Sequence, residues 1–345
     1  MMNDETMWAL RYHGHPELLL EKLPLPEPTP ETVRIRPLAV GIDGTDAHVL
    51  AGEFPVVIPI VTGHEIAGVV DRVGDGVFSL REGDLVSVEP HEYCGKCRYC
   101  RTGREHLCLH KRAFGFHLNG GLAEAMVVPE HVAYVLPDGI EPEIGCLAEP
   151  VGCCIHGLDR LQPVSGLGLL IFGAGTAGCI LTKLAQLAGL SPVVAVEPQA
   201  ERREMARLFG ADPVFDPRSD GWKDQALELT DRQGFDFLID AVGSSQVLED
   251  ALSMTARGAR VLVFGVAAPE AVVTVKPYEI FAKELSIVGS AINPYTHHRA
   301  VELLPHLGLE RLAIRQFPLD EYEAAFGELG RGGKVVISPQ TMSSA

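Results

Sequence analysis

The stretch that decides the fold is Leu169-Leu-Ile-Phe-Gly-Ala-Gly-Thr-Ala-Gly178. Its apolar start predicts a buried strand, and three glycines follow in GxGxxG spacing where a helical pattern opens: Gly173, Gly175 and Gly178. In that context the glycines permit a tight turn, the approach of a pyrophosphate and close helix packing. The helix start, at Thr176 and Ala177, offers free N–H groups to phosphate. A structural turn in another α/β protein is the alternative.

Strand and helix patterns alternate around this stretch, from about residue 166 to residue 288. The predicted strands are Gly168–Phe172, Val193–Val196, Pro213–Asp216, Phe235–Ile239, Arg260–Phe264 and Leu285–Val288. The predicted helices between them are Ala177–Ala188, Gln199–Phe209, Trp222–Glu228 and Val247–Thr255. Repeated β-α units predict a parallel, doubly wound sheet with right-handed crossovers.

Glu197 ends the second predicted strand, nineteen residues after Gly178. A carboxylate at this place can accept hydrogen bonds from both ribose hydroxyls and repels a 2′-phosphate. The sequence therefore favours NAD over NADP as the cofactor. Arg202 and Arg203 follow on the next helix, where they either soften that preference or are solvated helix charges.

The chain of 345 residues is longer than one hydrophobic core usually spans, so two domains are expected. The first 150 or so residues have short apolar segments divided by Gly, Pro and Asp, which predicts a barrel-like β domain. The tail from about residue 290 carries a predicted helix, His297–Leu307, and a strand, Lys334–Ser338. Because the tail is too short to fold alone, we expect it to return to the first domain.

Four of the eight cysteines form one cluster: Cys94, Cys97, Cys100 and Cys108. Four thiolates on one short segment can close a tetrahedron around Zn²⁺ with little loop entropy to overcome. Such a site has no open coordination position, so the prediction is a structural zinc. Disulfides or an iron–sulfur cluster are the alternatives. Core packing is predicted for the other four: Cys146, Cys153, Cys154 and Cys179.

The chain is acidic, with a net charge of −17 from 29 basic and 46 acidic residues. This charge repels nucleic acid and anionic membranes, so neither is an expected partner. The start of the chain lacks a basic region followed by an apolar run, which speaks against a signal peptide. The apolar run LGLLIF is too short to cross a bilayer. A cytoplasmic location follows as an expectation.

Together these features resemble the zinc-containing medium-chain dehydrogenases, especially their polyol and sugar dehydrogenase branch. The motifs that carry the resemblance are Gly41-Ile-Asp-Gly-Thr-Asp-Ala-His48, Gly63-His-Glu-Ile-Ala-Gly68, the four-cysteine segment, Gly121-Leu-Ala-Glu124, Glu149-Pro150, Gly173–Gly178 and Asn293-Pro-Tyr-Thr296. The resemblance implies an α/β fold with a GroES-like catalytic domain from residues 1–150 and 290–345. A Rossmann domain from residues 151–289 is inserted into it. It also implies a homodimer or homotetramer.

A catalytic zinc is implied by the same resemblance, with one departure from the family pattern. The family's cysteine ligand stands two residues before the position of Thr45, and here that residue is Asp43. A carboxylate oxygen is also a competent zinc ligand, so a retained but harder site is expected. Its further ligands are His64 and either Glu65 or Glu149, which can exchange. Zn²⁺ then acts as a Lewis acid on a secondary alcohol of a polyol, sugar or cyclitol, with hydride passing to NAD.

Two residues of the same loop match the family's proton path. Thr45 lies where a hydroxyl accepts the substrate proton, and His48 lies where a histidine relays it to solvent. A turn residue and a surface histidine are the alternatives. Loop residues that can line the substrate pocket, or simply pack, are Phe54, Phe114, Phe116, His117 and Asn119.

Two rival functions remain open at this point. One is a zinc-free reductase of the quinone-reductase type, although that branch lacks the cysteine segment and the Gly-His-Glu motif. The other is an NAD-binding homologue that lost catalysis through Asp43.

Overall fold

The computed structural model describes residues 5–343 of the chain. Residues 1–4 and 344–345 lie outside the described part. The first four belong to the N-terminal stretch for which the sequence speaks against a signal peptide. The chain divides into two compact units. The first contains the described residues up to Gly152, His297–His306 and the chain from Ala313 onward, and the second contains Cys153–Thr296 and Leu307–Leu312.

The front part of the chain is rich in short strands. They are β1 (Thr6–Gly14), β2 (Glu17–Pro24), β3 (Thr32–Ile42), β4 (Ile60–Val61), β5 (Glu65–Val73), β6 (Leu85–Val88), β7 (His91–Glu92), β8 (Arg112–Ala113), β9 (Met126–Pro129) and β10 (Ala133–Val135). The helices here are α1 (Gly44–Leu50), α2 (Pro142–Gly145) and α3 (Ala148–Leu161).

The middle of the chain alternates between strands and helices. The strands are β11 (Leu169–Phe172), β12 (Val193–Val196), β13 (Val214–Phe215), β14 (Phe235–Asp240), β15 (Thr255–Val263) and β16 (Ser286–Gly289). The helices are α4 (Thr176–Leu187), α5 (Ala200–Leu208), α6 (Trp222–Glu228), α7 (Ser245–Ser253) and α8 (Pro277–Lys283). The tail adds α9 (His297–Leu307), β17 (Ile314–Pro318), α10 (Tyr322–Gly327) and β18 (Lys334–Ser338).

The main sheet of the first unit has the order β10-β6-β5-β3-β18-β17, with β9 also paired to β3. Smaller sheets have the orders β2-β1-β4 and β7-β8. Strand β3 lies between β5 and β18, so it is buried over most of its length. The end of β3 places Asp43 close to both neighbouring strands, because Gly41 pairs with Glu65 on β5 and with Val336 on β18.

The second unit is built on six parallel strands in the order β13-β12-β11-β14-β15-β16. This is the Rossmann strand order, with the point of reversal between β11 and β14. The predicted doubly wound α/β class is therefore confirmed. Ligands of such sheets bind beyond the carboxyl ends of the strands at that point.

In the second unit one predicted helix end was wrong, and one observed helix was not predicted. The helix predicted to reach Thr255 ends at Ser253, and Thr255 begins β15. The Thr255 hydroxyl donates to the carbonyl oxygen of Leu252 at 2.8 Å, which ties the last turn to the start of the strand. Helix α8 had no predicted counterpart. Among the described helices, none has both the length and the apolar character that a membrane crossing requires.

Candidate active site and dinucleotide site

Asp43 is the N-cap residue of α1. Its Oδ1 atom accepts hydrogen bonds from the backbone N–H groups of Thr45, at 2.8 Å, and Asp46, at 3.2 Å. The Asp46 carboxylate accepts in return from the N–H of Asp43 at 3.0 Å, which completes a capping box. The Thr45 hydroxyl donates to Asp43 Oδ2 over 3.3 Å. One carboxylate oxygen therefore holds the helix, and the other is less engaged.

Asp43, His64 and Glu65 form a compact group of potential metal ligands. One ligand atom of each lies within 4.8 Å of the ligand atoms of the other two. The group arises because Glu65, the first residue of β5, pairs with Gly41 on β3. Gly41 precedes Asp43 by two residues, so Glu65 lies close to Asp43. Carboxylate oxygen and imidazole nitrogen are both common ligands of Zn²⁺. The structure thus brings three of the four predicted catalytic-zinc residues together.

Glu149, the fourth residue, lies outside this group. It occupies the first turn of α3, where its side chain is buried. Its charge contributes to raising the pKa values of both His64 and Glu65, so it acts on the group through the low-dielectric interior.

Asp46 is a site residue that sequence reasoning missed. Its Oδ1 lies 3.6 Å from His64 Nδ1, which is an ion-pair distance rather than a hydrogen bond. Burial lowers the pKa of His64, but Asp46, followed by Asp43 and Glu149, raises it to about 10. A carboxylate beside one ring nitrogen is the usual way to orient a metal-binding histidine. The signal in the sequence that could have identified Asp46 is its position, an acidic residue three positions after the N-cap Asp43.

Lys334 is the second residue that was missed. Its ammonium forms an ion pair with Glu65 Oε2, with side-chain exposures of 3% and 1%. The pair packs over Gly41, where an added Cβ would lie 1.9 Å from Glu65 Oε2 and 2.7 Å from Lys334 Cε. Burial raises the pKa of Glu65 to about 7, against the opposing effect of Lys334. The glycine is therefore required by the close approach of these two side chains.

The charges of this group fit a bound cation. Four buried or half-buried carboxylates are gathered with two cationic side chains: Asp43, Asp46, Glu65 and Glu149 with Lys334 and His64. Like charges in a buried cluster raise one another's pKa unless a cation lies among them. The high pKa of His64 reports the same negative potential. The donor set and its charge thus suit a divalent metal such as Zn²⁺.

His48 is exposed on the last turn of α1, and its Nδ1 lies 2.6 Å from Glu53 Oε2. Thr45 is half-buried beside Asp43. The two residues of the predicted proton path therefore lie at opposite ends of the same short helix.

Two aromatic rings extend from the metal-ligand group. The Phe116 ring centroid is 5.0 Å from that of His64 and 5.4 Å from that of Phe54. Phe114 belongs to the buried core. His117 Nδ1 accepts from the N–H of Ala113 at 3.3 Å. Asn119 Oδ1 accepts from the N–H of Val61 at 3.1 Å. These last two contacts agree with the packing alternative.

The four clustered cysteines have the geometry of a tetrahedral zinc site. The Sγ–Sγ distances are 3.6 Å for Cys97–Cys100, 3.9 Å for Cys97–Cys108 and 4.0 Å for Cys94–Cys100. A tetrahedron with Zn–S bonds of about 2.3 Å has edges of about 3.8 Å. The backbone N–H of Cys100 is the largest influence that lowers the pKa of Cys97, to about 6. None of the eight cysteines, all within the described residues, forms a disulfide.

The cysteines expected in the core divide into two groups. Cys146, Cys154 and Cys179 are buried, whereas Cys153 is half-buried. Packing therefore accounts for three of the four fully.

The glycine-rich loop joins β11 to α4 with Gly175 as the N-cap. An added Cβ at Gly178 would lie 2.1 Å from the carbonyl oxygen of Gly173, so the loop and helix require this glycine. A Cβ at Gly175 would meet no atom within 4 Å, which leaves open space at the helix N-terminus for a ligand. Thr176 and Ala177 open the helix beside that space, as predicted for a pyrophosphate site.

Glu197 lies beside this loop and is 2% exposed. Its Oε2 accepts from the N–H of Ala174 at 2.9 Å, and its Oε1 accepts from the N–H of Gln199 at 2.9 Å. These bonds fix the carboxylate at the carboxyl end of β12. Arg202 is half-buried on α5.

Comparison with known proteins gives two family matches. Residues 29–138 match the alcohol dehydrogenase GroES-like domain, and residues 177–306 match the zinc-binding dehydrogenase domain. The first match identifies the β-rich unit as GroES-like.

Individual relatives cover nearly the whole chain. L-threonine 3-dehydrogenase of Pyrococcus horikoshii is 34% identical, over 91% of this chain and 92% of the relative. D-arabinitol dehydrogenase 1 of Uromyces fabae is 32% identical, over 96% of this chain and 97% of the relative. A zinc-binding dehydrogenase of Sinorhizobium meliloti bound to NADP has a TM-score of 0.94 at 31% identity, over 97% of this chain and 100% of that one. The chain therefore belongs to the zinc-binding, NAD(P)-dependent alcohol dehydrogenases of the medium-chain family.

Proposed function

We propose that this chain transfers hydride between a secondary alcohol of a polyol, sugar or cyclitol and NAD, with a catalytic and a structural zinc in each subunit. The observation that carries the proposal is the close, largely buried group of potential metal ligands formed by Asp43, His64 and Glu65. The first unit is assigned the substrate and both zinc ions, and the second unit the dinucleotide. A homodimer or homotetramer is proposed on the family resemblance.

The metal would be held by Asp43, His64 and Glu65, with Glu149 available to exchange with Glu65. Zn²⁺ supplies a Lewis acid that polarises an alcohol oxygen and lowers its pKa. The protein orients the ligands: Asp46 aligns His64, and Lys334 restrains the carboxylate of Glu65. Aspartate in place of cysteine supports a harder but functional site.

The substrate proton is assigned to Thr45 and then to His48. The Thr45 hydroxyl is already positioned by its hydrogen bond to Asp43 Oδ2. His48 is exposed and paired with Glu53, so it is accessible for exchange with solvent. The Phe116 and Phe54 rings supply an apolar wall that limits the access of water to the reacting carbon.

NAD is proposed as the preferred cofactor because of Glu197. Its carboxylate is held by two backbone N–H groups at the carboxyl end of β12, and Rossmann proteins use an acidic residue at this place to bind the ribose hydroxyls. A 2′-phosphate would meet this negative charge directly. The relative bound to NADP makes the comparison of both cofactors essential.

A hydroxy amino acid is the second candidate substrate class. Its support is the 34% identity to L-threonine 3-dehydrogenase, an enzyme named for oxidation of an amino acid at carbon 3. The D-arabinitol dehydrogenase relative, at 32% identity, favours a polyol instead.

The decisive experiment is an oxidation screen of the zinc-loaded protein with NAD and, separately, NADP. The panel contains open-chain polyols, aldoses, cyclitols and L-threonine. We expect turnover of one hydroxyl-rich class with NAD, lost after treatment with a zinc chelator and restored by Zn²⁺. Activity that survives complete removal of metal would favour the zinc-free reductase. NADH binding without any turnover across the panel would favour the impaired homologue.

A further inference from the structure

Two arginines lie next to Glu197 at the carboxyl edge of the second unit's sheet. Arg203 Nη1 donates to the carbonyl oxygens of Glu197, at 2.9 Å, and Pro198, at 2.7 Å. Arg218 Nη2 also donates to the carbonyl oxygen of Pro198. Both guanidinium groups therefore adjoin the backbone that carries the ribose-binding carboxylate.

Asp216 binds both of these arginines. It follows β13, the neighbour of β12, so it stands beside Glu197 on the same edge. Its carboxylate accepts from Arg218 Nε at 2.9 Å and Nη2 at 2.8 Å in a two-pronged arrangement. Its Oδ2 is 3.1 Å from Arg203 Nη1, and the side chains of Arg203 and Asp216 are 18% and 19% exposed.

We propose that Asp216 determines dinucleotide selectivity by occupying Arg203 and Arg218, which are thereby withheld from a 2′-phosphate. Arginines near the ribose are the groups that accommodate that phosphate in NADP-dependent Rossmann proteins. Here Asp216 pairs with both guanidinium groups, and Glu197 adds a second negative charge beside them, so a doubly charged phosphate meets no unpaired guanidinium at Arg203 or Arg218. The inference rests on the proposed dinucleotide function and identifies Asp216 as the residue that selects NAD over NADP.

The test is equilibrium binding of NADH and NADPH, followed by the fluorescence of the bound dinucleotide, to the wild type and to Asp216→Asn. Asparagine keeps a side-chain oxygen that can accept the hydrogen bond from the backbone N–H of Arg218, which is 2.9 Å long in the wild type. It removes the negative charge. We expect the Kd for NADPH to fall about tenfold and the Kd for NADH to change less than about twofold. The matched control is Asp224→Asn, which breaks an exposed pair with Arg232 in the same unit and is expected to leave both constants unchanged.

Arg218→Gln provides an independent test that does not depend on the folding of Asp216→Asn. Removal of Arg218 leaves Asp216 less neutralised, so NADPH binding should weaken while NADH binding persists. In the double variant the gain of Asp216→Asn should be reduced. An unchanged NADPH-to-NADH ratio in folded variants, checked by circular dichroism, overturns the inference while the NADH site stands. Failure of the wild type to bind either dinucleotide overturns the proposed function as well.

Discussion

The ammonium of Lys334 and the carboxylate of Glu65 form an ion pair that is almost completely withdrawn from solvent. The pair lies over Gly41 and next to Asp43, so it borders the proposed metal position. A buried pair of this kind adds little net stability, but the loss of one partner leaves an uncompensated charge.

Lys334→Met is therefore expected to lower the free energy of unfolding by about 3 kcal/mol. The measurement is urea denaturation of chelator-treated protein, so that metal binding does not contribute. The double variant Lys334→Met/Glu65→Leu should be more stable than the single variant, because no charge remains unpaired. Equal losses in the two variants would show that the unpaired charge of Glu65 is not the cause of the destabilisation.

Asp43→Ala and Asp43→Asn separate the two tasks of that carboxylate. Both variants should reduce the zinc content from two ions per subunit to one, as measured by mass spectrometry. Asparagine keeps an oxygen that can cap α1, whereas alanine removes the cap at a further cost of about 1 kcal/mol in helix stability. Asp75→Asn, at an exposed aspartate, is the control and should keep both ions. A full complement of zinc in Asp43→Ala would remove Asp43 from the ligand set.

Cys97→Ser should remove the other zinc ion. The segment from Cys94 to Cys108 has little regular structure beyond two short 3-10 helices, so the metal is expected to hold it together. Faster tryptic cleavage within this segment and a zinc content reduced by one are the expected readouts. Cys153→Ser, outside the cluster, should change neither quantity. Wild-type resistance to trypsin in Cys97→Ser would contradict a structural zinc.

Gly175→Ala and Gly178→Ala should differ in their effect on stability. The methyl group at Gly175 meets no protein atom, so the melting temperature should stay constant while NADH binding weakens by about tenfold or more. The methyl group at Gly178 collides with the carbonyl of Gly173, so stability and binding should both fall. Undiminished NADH affinity in Gly175→Ala would place the pyrophosphate elsewhere.

The stability of the first unit is predicted to depend on pH because of His297. It is fully buried, its Nε2 lies 3.1 Å from Ser87 Oγ, and burial lowers its pKa to about 3. Between that value and the unfolded pKa of about 6.5, the unfolded chain binds the proton and the folded protein does not. Stability is therefore lost as the pH falls below about 6.5, by about 1.4 kcal/mol from this residue at pH 5.5.

The measurement is urea denaturation at pH 7.5 and at pH 5.5. His297→Gln should flatten the difference between the two, at some cost in overall stability. His298→Gln, at the exposed neighbouring position, should retain the full difference. A wild-type pH dependence in His297→Gln would assign the effect to other groups.

The second unit was predictable because its signals are local. Apolar runs of strand length, helical periodicity and the glycine spacing each act over a few residues, and the observed strands differ from the predicted ones mostly at their ends. The exception is β15, whose early start at Thr255 depends on pairing with Phe235. That pairing is set by the register of two strands and has no local signature.

The candidate site was only partly predictable for the same reason. Asp43, His64 and Glu65 stand in short motifs that could be matched one by one. Lys334 comes from a strand whose pairing with β3 is visible only in the assembled sheet. Asp46 belongs to the same short motif as Asp43. It was not predicted as a site residue because acidic residues are common in the first turn of a helix for capping alone.

The position of Lys334 on β18 also constrains the order in which the protein can be completed. Synthesis releases the front of the chain first, and β18 follows only after the whole inserted unit has been made. Until then the last residues of β3, from Val40 to Ile42, lack the hydrogen-bonding neighbour that β18 provides, and Glu65 lacks its counter-ion. The nascent first unit therefore remains unfinished while the second can already fold, and its last step of assembly is the docking of this strand.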